Sequence, residues 1–310
     1  MIKLLNLITE ETRNPKAVIM AGGGGVGKSY LLNQLNLSTL EQFNPDKYVE
    51  DPDHKYYNLL GPASIQVGKD VAAAAEKGTS FVWDTTASNT SKVKELLDKG
   101  YGVYMIMVYA HPMISYASNF SRNRALPAVA VFKTWRNVYQ LIGQYQDMLG
   151  DNISIYVSDR GGKYNKEIED FNKAAEKGVN GIKEYLKVYN EENNVKGSSF
   201  FSPVELDKEE EAAFNQAVVN VEFDKDNRSE DKAVKQAFLK AYKNTGESPG
   251  EDKLKDAVDK YRARKEKSDT QNDEVIGNIA KMLFDPEFQE LLKHSDVKEI
   301  DKKVQAFLVW

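Results

Sequence analysis

The sequence predicts an α/β protein in which a doubly wound parallel sheet is followed by a C-terminal helical region. Over the first 190 residues, short apolar runs alternate with helix-forming stretches, which is typical of a parallel sheet with helices on both faces. Between the first apolar run and the first helix lies the glycine-rich run Gly22–Ser29. Beyond residue 200, apolar residues recur at helical spacing.

The glycine-rich run fits the P-loop pattern G-x-x-x-x-G-K-[ST] at every required position. Ala17–Ala21 before it is short and apolar, as a buried parallel strand should be, and Tyr30–Leu35 after it can propagate a helix. This context predicts an ATP site, or Walker A loop, formed by Gly22, Gly23, Gly24, Gly25, Val26, Gly27, Lys28, Ser29 and Tyr30. The alternative is a glycine-rich turn that happens to precede Lys-Ser.

The residue types in the loop suit phosphate chemistry. Glycines let backbone N–H groups turn inward and surround phosphate oxygens. Lys28 can reach the β- and γ-phosphates, and the Ser29 hydroxyl can ligate Mg²⁺. The predicted cofactors are therefore ATP and Mg²⁺.

The next elements follow from local patterns. Leu40–Phe43 is a weak strand candidate, Ala63–Lys77 is an alanine-rich helix stopped by Gly78, and Thr79–Trp83 is a strand. Asn89 can cap a helix that runs through Leu97. The strongest strand is predicted at 101–109, helices at 112–124 and 129–149, a last strand at 153–157 and a last helix at 166–189.

Polar residues follow the predicted strands, and ligands of parallel sheets bind at the carboxyl ends of the strands. Asp84 ends an apolar strand and is predicted to hold Mg²⁺ directly or through water, with an Asx turn as the alternative. Asp46 is a candidate base for a substrate hydroxyl, with a turn acid after Pro45 as the alternative. His111, which precedes Pro112, is interpreted as a polar residue at a strand end.

Arginines in a polar stretch before Pro127 are candidates for a phosphate clamp, because guanidinium groups match phosphate oxygens bidentately. These are Arg122 and Arg124, with solvated surface arginines as the alternative. Lys133 and Arg136 are weaker candidates for the same role. Trp83 and Trp135 are interpreted as core residues.

The order of these motifs resembles the zeta-toxin and polynucleotide-kinase branch of P-loop kinases. That family has a Walker A loop, N-x-D after the second strand, an acid-Thr pair after the third, and a lid with R-x-x-P. The corresponding residues are Gly22–Ser29, Asn44-Pro45-Asp46, Asp84-Thr85 and Arg124-Ala125-Leu126-Pro127. The resemblance covers about residues 15 to 160.

The resemblance implies a role for each matching residue. Asp46 would deprotonate the acceptor hydroxyl, and Arg124, with Arg122, would stabilise the transferring phosphoryl group. Asp84 and Thr85 would bind substrate or magnesium. The sequence departs from polynucleotide kinases at Val49, where they carry a phosphate-binding Arg, and from zeta toxins at Asp84, where they carry Glu. The acceptor of neither group can therefore be transferred to this chain.

Composition narrows the class of protein. The net charge of −5 does not point to nucleic acid, the absence of cysteine excludes disulfides and thiolate metal sites, and three histidines make a zinc site unfavourable. The apolar runs are too short for a membrane span or a signal peptide. We therefore expect a cytoplasmic protein without a membrane partner.

The composition changes near residue 190, where a polar segment suggests a linker. The predicted domains are a P-loop kinase-like domain at 1–190 and a helical region at 200–310, with few contacts between them. Helix starts are predicted at Ser202-Pro203, Ser248-Pro249, Asp285-Pro286 and Asp296. The basic run Lys260–Lys267 is interpreted as a solvated helix face, and the C-terminal apolar stripe as domain packing or a surface for a protein partner.

Two functions remain open at this point. The first is an ATP- and magnesium-dependent kinase acting on a hydroxyl of a nucleotide, sugar nucleotide or nucleic-acid end. The second is a nucleotide-driven ATPase or switch whose helical region carries the partner surface. A binding module with a degenerate P-loop is disfavoured because no Walker A residue is missing.

Overall fold

The computed structural model describes residues 14–51, 53–55, 60–120, 128–193 and 270–309. The chain divides into two compact units, one of Met1–Ser198 with Val275–Trp310 and one of Ser199–Glu274. Only residues 270–274 of the second unit are described, and they are helical. The predicted helix starts at Ser202 and Ser248 and the basic run 260–267 lie outside the described residues.

The first unit is built on a five-stranded parallel sheet, which confirms the predicted α/β class. Its strands are β1 (Lys16–Ala21), β2 (Glu41–Phe43), β3 (Phe81–Asp84), β4 (Gly102–Tyr109) and β5 (Ile153–Val157). Their order across the sheet is β2-β3-β1-β4-β5. Five of the six β1 side chains are fully buried, because β1 lies in the middle of the sheet and has neighbours on both sides.

The register brings the strand ends to one edge of the sheet. Met20 lies opposite Asp84 on one side, and Ala21 lies opposite Met107 on the other. The loops that follow β1 and β3 therefore leave the sheet at the same height, and β4 continues two residues further, to Tyr109. The P-loop lies in the centre of this edge. This is the edge where ligands of open parallel sheets bind.

Helices flank the sheet. They are α1 (Lys28–Leu32), α2 (Pro45–Val49), α3 (Leu60–Glu76), α4 (Ser91–Asp98), α5 (Pro112–Phe120), α6 (Ala128–Tyr139), α7 (Ile142–Leu149), α8 (Asn165–Glu176), α9 (Gly178–Glu192), α10 (Pro286–Leu291) and α11 (Val297–Val309), and residues 270–284 are also helical. Asp285 caps α10 by accepting from the Glu287 N–H, as its Asp-Pro start predicts.

Two predicted helices are each divided in the structure. The predicted helix 129–149 is broken at residues 140–141 into α6 and α7. The predicted helix 166–189 is broken before Gly178, whose φ of 77° lies in the left-handed region and turns the chain from α8 into α9. A Cβ on Gly181 would lie 2.4 Å from the carbonyl oxygen of Ala174, so only glycine lets the two helices pack this closely.

The C-terminal segment corrects the predicted boundary between 1–190 and 200–310. Val275–Trp310 groups with the P-loop unit. Ile155 of β5 forms a parallel bridge with His294, and the Asn36 N–H donates to Asp301 Oδ1 over 3.0 Å. The ring of Phe307 packs 5.4 Å from that of Tyr104 in β4. The linker composition did not reveal these contacts because they are made after the chain returns from residues 199–274.

No helix among the described residues combines the length and the apolar character that crossing a membrane requires.

Candidate active site

The shape of the P-loop requires glycine at two positions, where the backbone has a positive φ and a side chain would clash. Gly22 has a φ of 149°, and a Cβ on it would lie 2.6 Å from the carbonyl oxygen of Val108. Gly25 has a φ of 77°, and its Cβ would lie 2.7 Å from the carbonyl oxygen of Ser115. The loop is thus fitted closely against β4 and α5, and its backbone can turn as phosphate binding requires.

A buried tyrosine holds the start of the loop. The Tyr139 hydroxyl donates to the Val108 carbonyl over 2.7 Å and accepts from the Gly23 N–H over 3.3 Å. Burial raises the pKa of Tyr139, so its hydroxyl stays protonated and keeps this donor role. Helix α6 therefore fixes the position of the P-loop relative to β4.

The Lys28 ammonium lies across the loop. Its Nζ donates to the Gly22 and Gly23 carbonyls over 3.1 and 3.2 Å and lies 3.6 Å from Asp84 Oδ1. The Asp84 carboxylate is buried at the end of β3. Burial leaves this carboxylate poorly hydrated, so it favours a nearby cation.

Asn44 links the two acidic residues. Its Nδ2 donates to Asp84 Oδ2 over 3.3 Å, and its Oδ1 accepts from the Asp46 N–H over 2.9 Å, which caps α2. The Asn-Pro-Asp sequence produces this arrangement locally, because Asn is a good N-cap and Pro suits the first helical position. One side chain thus sets both the start of the helix that carries Asp46 and the position of the Asp84 carboxylate.

These elements enclose a cavity of about 210 Å³ at the carboxyl edge of the sheet. It is lined by Gly25, Val26, Gly27, Lys28, Ser29, Tyr30, Asp46, Asp84 and Arg160. Two carboxylates, one ammonium and one guanidinium therefore meet beside the P-loop. Such a site can hold a polyphosphate and place a carboxylate next to it.

Arg160 is the lining residue that sequence reasoning missed. It lies just after β5, in the short 3₁₀ turn Arg160–Gly162, and its Nη2 donates to the Gly25 carbonyl over 2.9 Å. Its φ of 55° is left-handed, a conformation that costs a non-glycine residue about 1 kcal/mol or more. The signal was an arginine that follows a predicted strand and precedes two glycines at the binding edge of the sheet.

Other predicted residues lie elsewhere. Thr85 does not line the P-loop cavity; its Oγ1 accepts from the Ala87 N–H over 3.3 Å, and it borders a separate cavity of about 140 Å³. Arg122 and Arg124 lie outside the described residues. Trp135 is fully buried and donates from Nε1 to the Ala110 carbonyl, in agreement with its interpretation as a core residue.

His111 lies at the end of β4, where it was expected to be a polar residue at a strand end. Its Nδ1 accepts from the Met113 N–H over 3.2 Å, and its Nε2 lies 3.0 Å from Asn172 Oδ1. Burial lowers the pKa of His111 to about 4, so the ring is neutral at pH 7. Both ring nitrogens are occupied by structural hydrogen bonds.

The fold and the cavity define the class. A five-stranded parallel sheet of order 2-3-1-4-5 carries a P-loop after its central strand and an acid at the end of the adjacent strand. The chain therefore carries a P-loop at the binding edge of a parallel α/β sheet. The zeta toxin family model matches residues 3–140, which confirms the resemblance over this part, somewhat less than half of the chain.

Similar folds occur among solved structures. A candidate kinase from Chloroflexus aurantiacus J-10-fl is 16% identical with a TM-score of 0.29, and the match covers 36% of this chain and 66% of that one, just under two thirds of its length. A structure of the PezAT toxin–antitoxin system of Streptococcus pneumoniae is 18% identical with a TM-score of 0.36, and the match covers 51% of this chain and 76% of that one. The structure of AvrRxo1-ORF1 and -ORF2 with ATP is 11% identical with a TM-score of 0.39, and the match covers 77% of this chain and 80% of that one.

No curated protein matches the chain.

Proposed function

We propose that this protein is an ATP- and magnesium-dependent kinase that phosphorylates a hydroxyl of a nucleotide, a sugar nucleotide or a nucleic-acid end. The observation that carries the proposal is the placement of Asp46 in the same cavity as Lys28 and Ser29. A P-loop needs no such carboxylate to bind a nucleotide. A hydroxyl nucleophile, in contrast, benefits from a carboxylate that orients it and accepts its proton.

The residues present fit ATP with a magnesium ion. Ser29 and Asp84 supply a hydroxyl and a carboxylate to the cavity that also holds the Lys28 ammonium, and Asp84 Oδ1 lies 3.6 Å from Lys28 Nζ. Within the part of the chain that the structure describes, no cluster of three His, Cys, Asp or Glu side chains is placed to hold a metal. The Ser29 hydroxyl and the Asp84 carboxylate suit Mg²⁺, which usually keeps several waters and is bound by few protein ligands together with phosphate oxygens. The ion would neutralise charge on the phosphates.

Each residue of the cavity has a separate task in this proposal. Lys28 leaves its contacts with the Gly22 and Gly23 carbonyls and binds the β- and γ-phosphate oxygens instead. Asp46 accepts the proton of the acceptor hydroxyl while the hydroxyl oxygen bonds to the γ-phosphorus. The bond from this phosphorus to the bridging oxygen breaks, and ADP leaves with that oxygen. Asn44 keeps the two carboxylates in position.

The lid arginines remain part of the proposal from the sequence alone. Arg124, and with it Arg122, would meet the γ-phosphoryl group when the acceptor is bound, and would stabilise charge in the transition state. Arg124→Ala is then expected to lower kcat strongly with little change in the acceptor KM. A change confined to the acceptor KM would assign Arg124 to acceptor binding instead.

The test is label transfer from γ-labelled ATP in the presence of Mg²⁺. The protein is incubated with separate pools of nucleotides, sugar nucleotides and oligonucleotides, and Lys28→Ala serves as the blank. Label in an acceptor that disappears in the blank supports the kinase and identifies the acceptor class. Label released only as free phosphate supports the alternative, an ATPase or switch, and overturns the kinase.

A further inference from the structure

The Arg160 side chain reaches from the end of β5 to the P-loop. Its Nη2 donates to the Gly25 carbonyl over 2.9 Å, and its guanidinium carbon lies 3.6 Å from the position that a Cβ on Gly27 would occupy. The guanidinium group therefore covers the middle of the loop. A Cβ on Gly27 would be in ordinary van der Waals contact with this group, so glycine is favoured there by its φ of 104° and not by lack of space.

Two features of Arg160 cost free energy. Its backbone adopts a left-handed conformation that arginine disfavours. Its Nε is buried and has no hydrogen-bond partner, although a guanidinium donor without an acceptor is costly. An unused donor held beside a phosphate-binding loop is explained most simply by an acceptor that arrives with the ligand.

The order of the strands indicates which part of the ligand lies beside Arg160. Asp46 and Asp84 follow β2 and β3, on one side of the central strand β1, whereas Arg160 follows β5 on the other side. If the acceptor hydroxyl lies beside Asp46, the nucleoside of the donor must leave the cavity on the opposite side. Tyr30, which lines the cavity and is 61% exposed, offers an aromatic ring at the rim.

We propose that Arg160 binds the donor nucleotide through a phosphate that ATP and ADP share, and that its guanidinium group shifts on the loop so that the Nε–H, which is buried without the ligand, donates to this phosphate. This inference rests on the proposed kinase function, because that function assigns the Asp46 side to the acceptor. The contact is the same before and during phosphoryl transfer, so it contributes to nucleotide affinity and not to kcat.

The experiment is a titration of the whole protein with ATP and, separately, with ADP, each with Mg²⁺. Arg160→Lys keeps the positive charge but puts a methylene group where Nε stands. We expect it to weaken both nucleotides equally, by about 10- to 100-fold, with kcat for label transfer nearly unchanged. Lys163→Ala is the matched control, because it removes an exposed positive charge three residues away and should leave both affinities unchanged.

A second variant separates binding from folding. Asn tolerates left-handed backbone better than Arg, so Arg160→Asn is expected to melt at or above the wild-type temperature without nucleotide, yet to bind both nucleotides weakly. If Arg160 only supports the P-loop, this variant will instead lose thermal stability. That result would overturn the inference.

The remaining outcomes are also decisive. Wild-type affinity in Arg160→Lys would overturn the role of Nε–H. A loss for ATP alone would place Arg160 on the transferred phosphoryl group and overturn the assignment to a shared phosphate. If wild-type protein binds neither nucleotide, the proposed function itself fails. Normal ATP binding in wild type with unaffected Arg160 variants would overturn this inference only.

Discussion

The two sides of the central strand carry opposite chemistry. On the side of β2 and β3 the cavity is lined by the carboxylates of Asp46 and Asp84, and on the side of β5 it is lined by the guanidinium of Arg160. We call these the acidic side and the basic side. Lys28 lies between them, on the P-loop that follows β1.

The two sides also differ in how the chain builds them. The acidic side depends on the local turn Asn44-Pro45-Asp46 and on one hydrogen bond to Asp84. The basic side depends on β5, which is bonded to the C-terminal segment. The Ile155 carbonyl accepts from the Ser295 N–H, and the Val157 N–H donates to His294 Nδ1. The contacts that form the acidic side thus join residues at most 40 positions apart, whereas those that support the basic side join residues about 140 positions apart.

The largest effect is expected from Lys28→Ala, because Lys28 lies between the two sides and would bind the phosphates. Its ammonium neutralises charge on the β- and γ-phosphates, and such contacts are typically worth on the order of 10²-fold or more in rate. We expect label transfer to be abolished. Lys99→Ala, which removes a lysine after α4, is the control and should transfer normally. Near-normal turnover of the Lys28 variant would show that the P-loop assignment is wrong.

Asp46→Asn tests the acidic side alone. The amide keeps the shape and hydrogen bonding of the carboxylate but removes its charge and basicity. Transfer to the acceptor should fall by on the order of 10²-fold or more, while ATP affinity should stay nearly unchanged. ATP titration and label transfer are measured on the same preparation.

The exposed Asp53 provides the control for Asp46. Asp53→Asn makes the same chemical change a few residues further along the chain and should leave transfer unchanged. If ATP binding collapsed together with transfer in Asp46→Asn, Asp46 would be a magnesium ligand or a structural residue. Unchanged transfer would leave it an acid of the turn.

Asn44→Asp asks whether the hydrogen bond between the acidic residues matters. Aspartate caps helices as well as asparagine does, so stability should change little. It cannot donate to Asp84 Oδ2, however, and it places a third carboxylate beside the other two. We expect transfer to fall by about tenfold through displacement of Asp84, with a smaller change for Asn44→Ser, which also caps. Equal rates in wild type and both variants would show that Asn44 is only a helix cap.

The residues of the acidic side could be predicted from the sequence, whereas those of the basic side could not. The P-loop, Asp46 and Asp84 were predicted because each depends on a pattern of a few neighbouring residues. The packing of Val275–Trp310 was missed, since no local pattern encodes where a returning segment docks. Arg160 was missed for the same reason, because its contact with Gly25 spans 135 positions.

His294→Ala tests the support of the basic side. It leaves the Val157 N–H without its acceptor, at a cost of about 1 kcal/mol in the free energy of unfolding. We expect a lower urea midpoint and, because β5 leads to Arg160, about a twofold weaker ATP affinity with unchanged kcat. Lys293→Ala, beside it and exposed, should change neither. A fall in kcat would mean that the C-terminal segment also acts on the acidic side.

The smallest effect concerns His111, which follows β4 between the two sides. Its pKa of about 4 in the folded chain lies below the ordinary value near 6.5 that it regains on unfolding. The unfolded chain therefore binds a proton first as the pH falls, so stability is full above about pH 7 and decreases from there down to about pH 4.

Between pH 7 and pH 6 this histidine should account for less than about 1 kcal/mol of the free energy of unfolding. His111→Asn keeps an acceptor for the Met113 N–H and removes the titrating ring. Urea unfolding at pH 7.0, 6.5 and 6.0 should therefore be less dependent on pH in the variant than in wild type. If wild type and variant depended equally on pH, other groups would cause the pH dependence of stability.

Label transfer at pH 7 should be the same in wild type and His111→Asn, because both ring nitrogens already have structural partners. A loss of transfer without a loss of stability would instead give His111 a place in the chemistry.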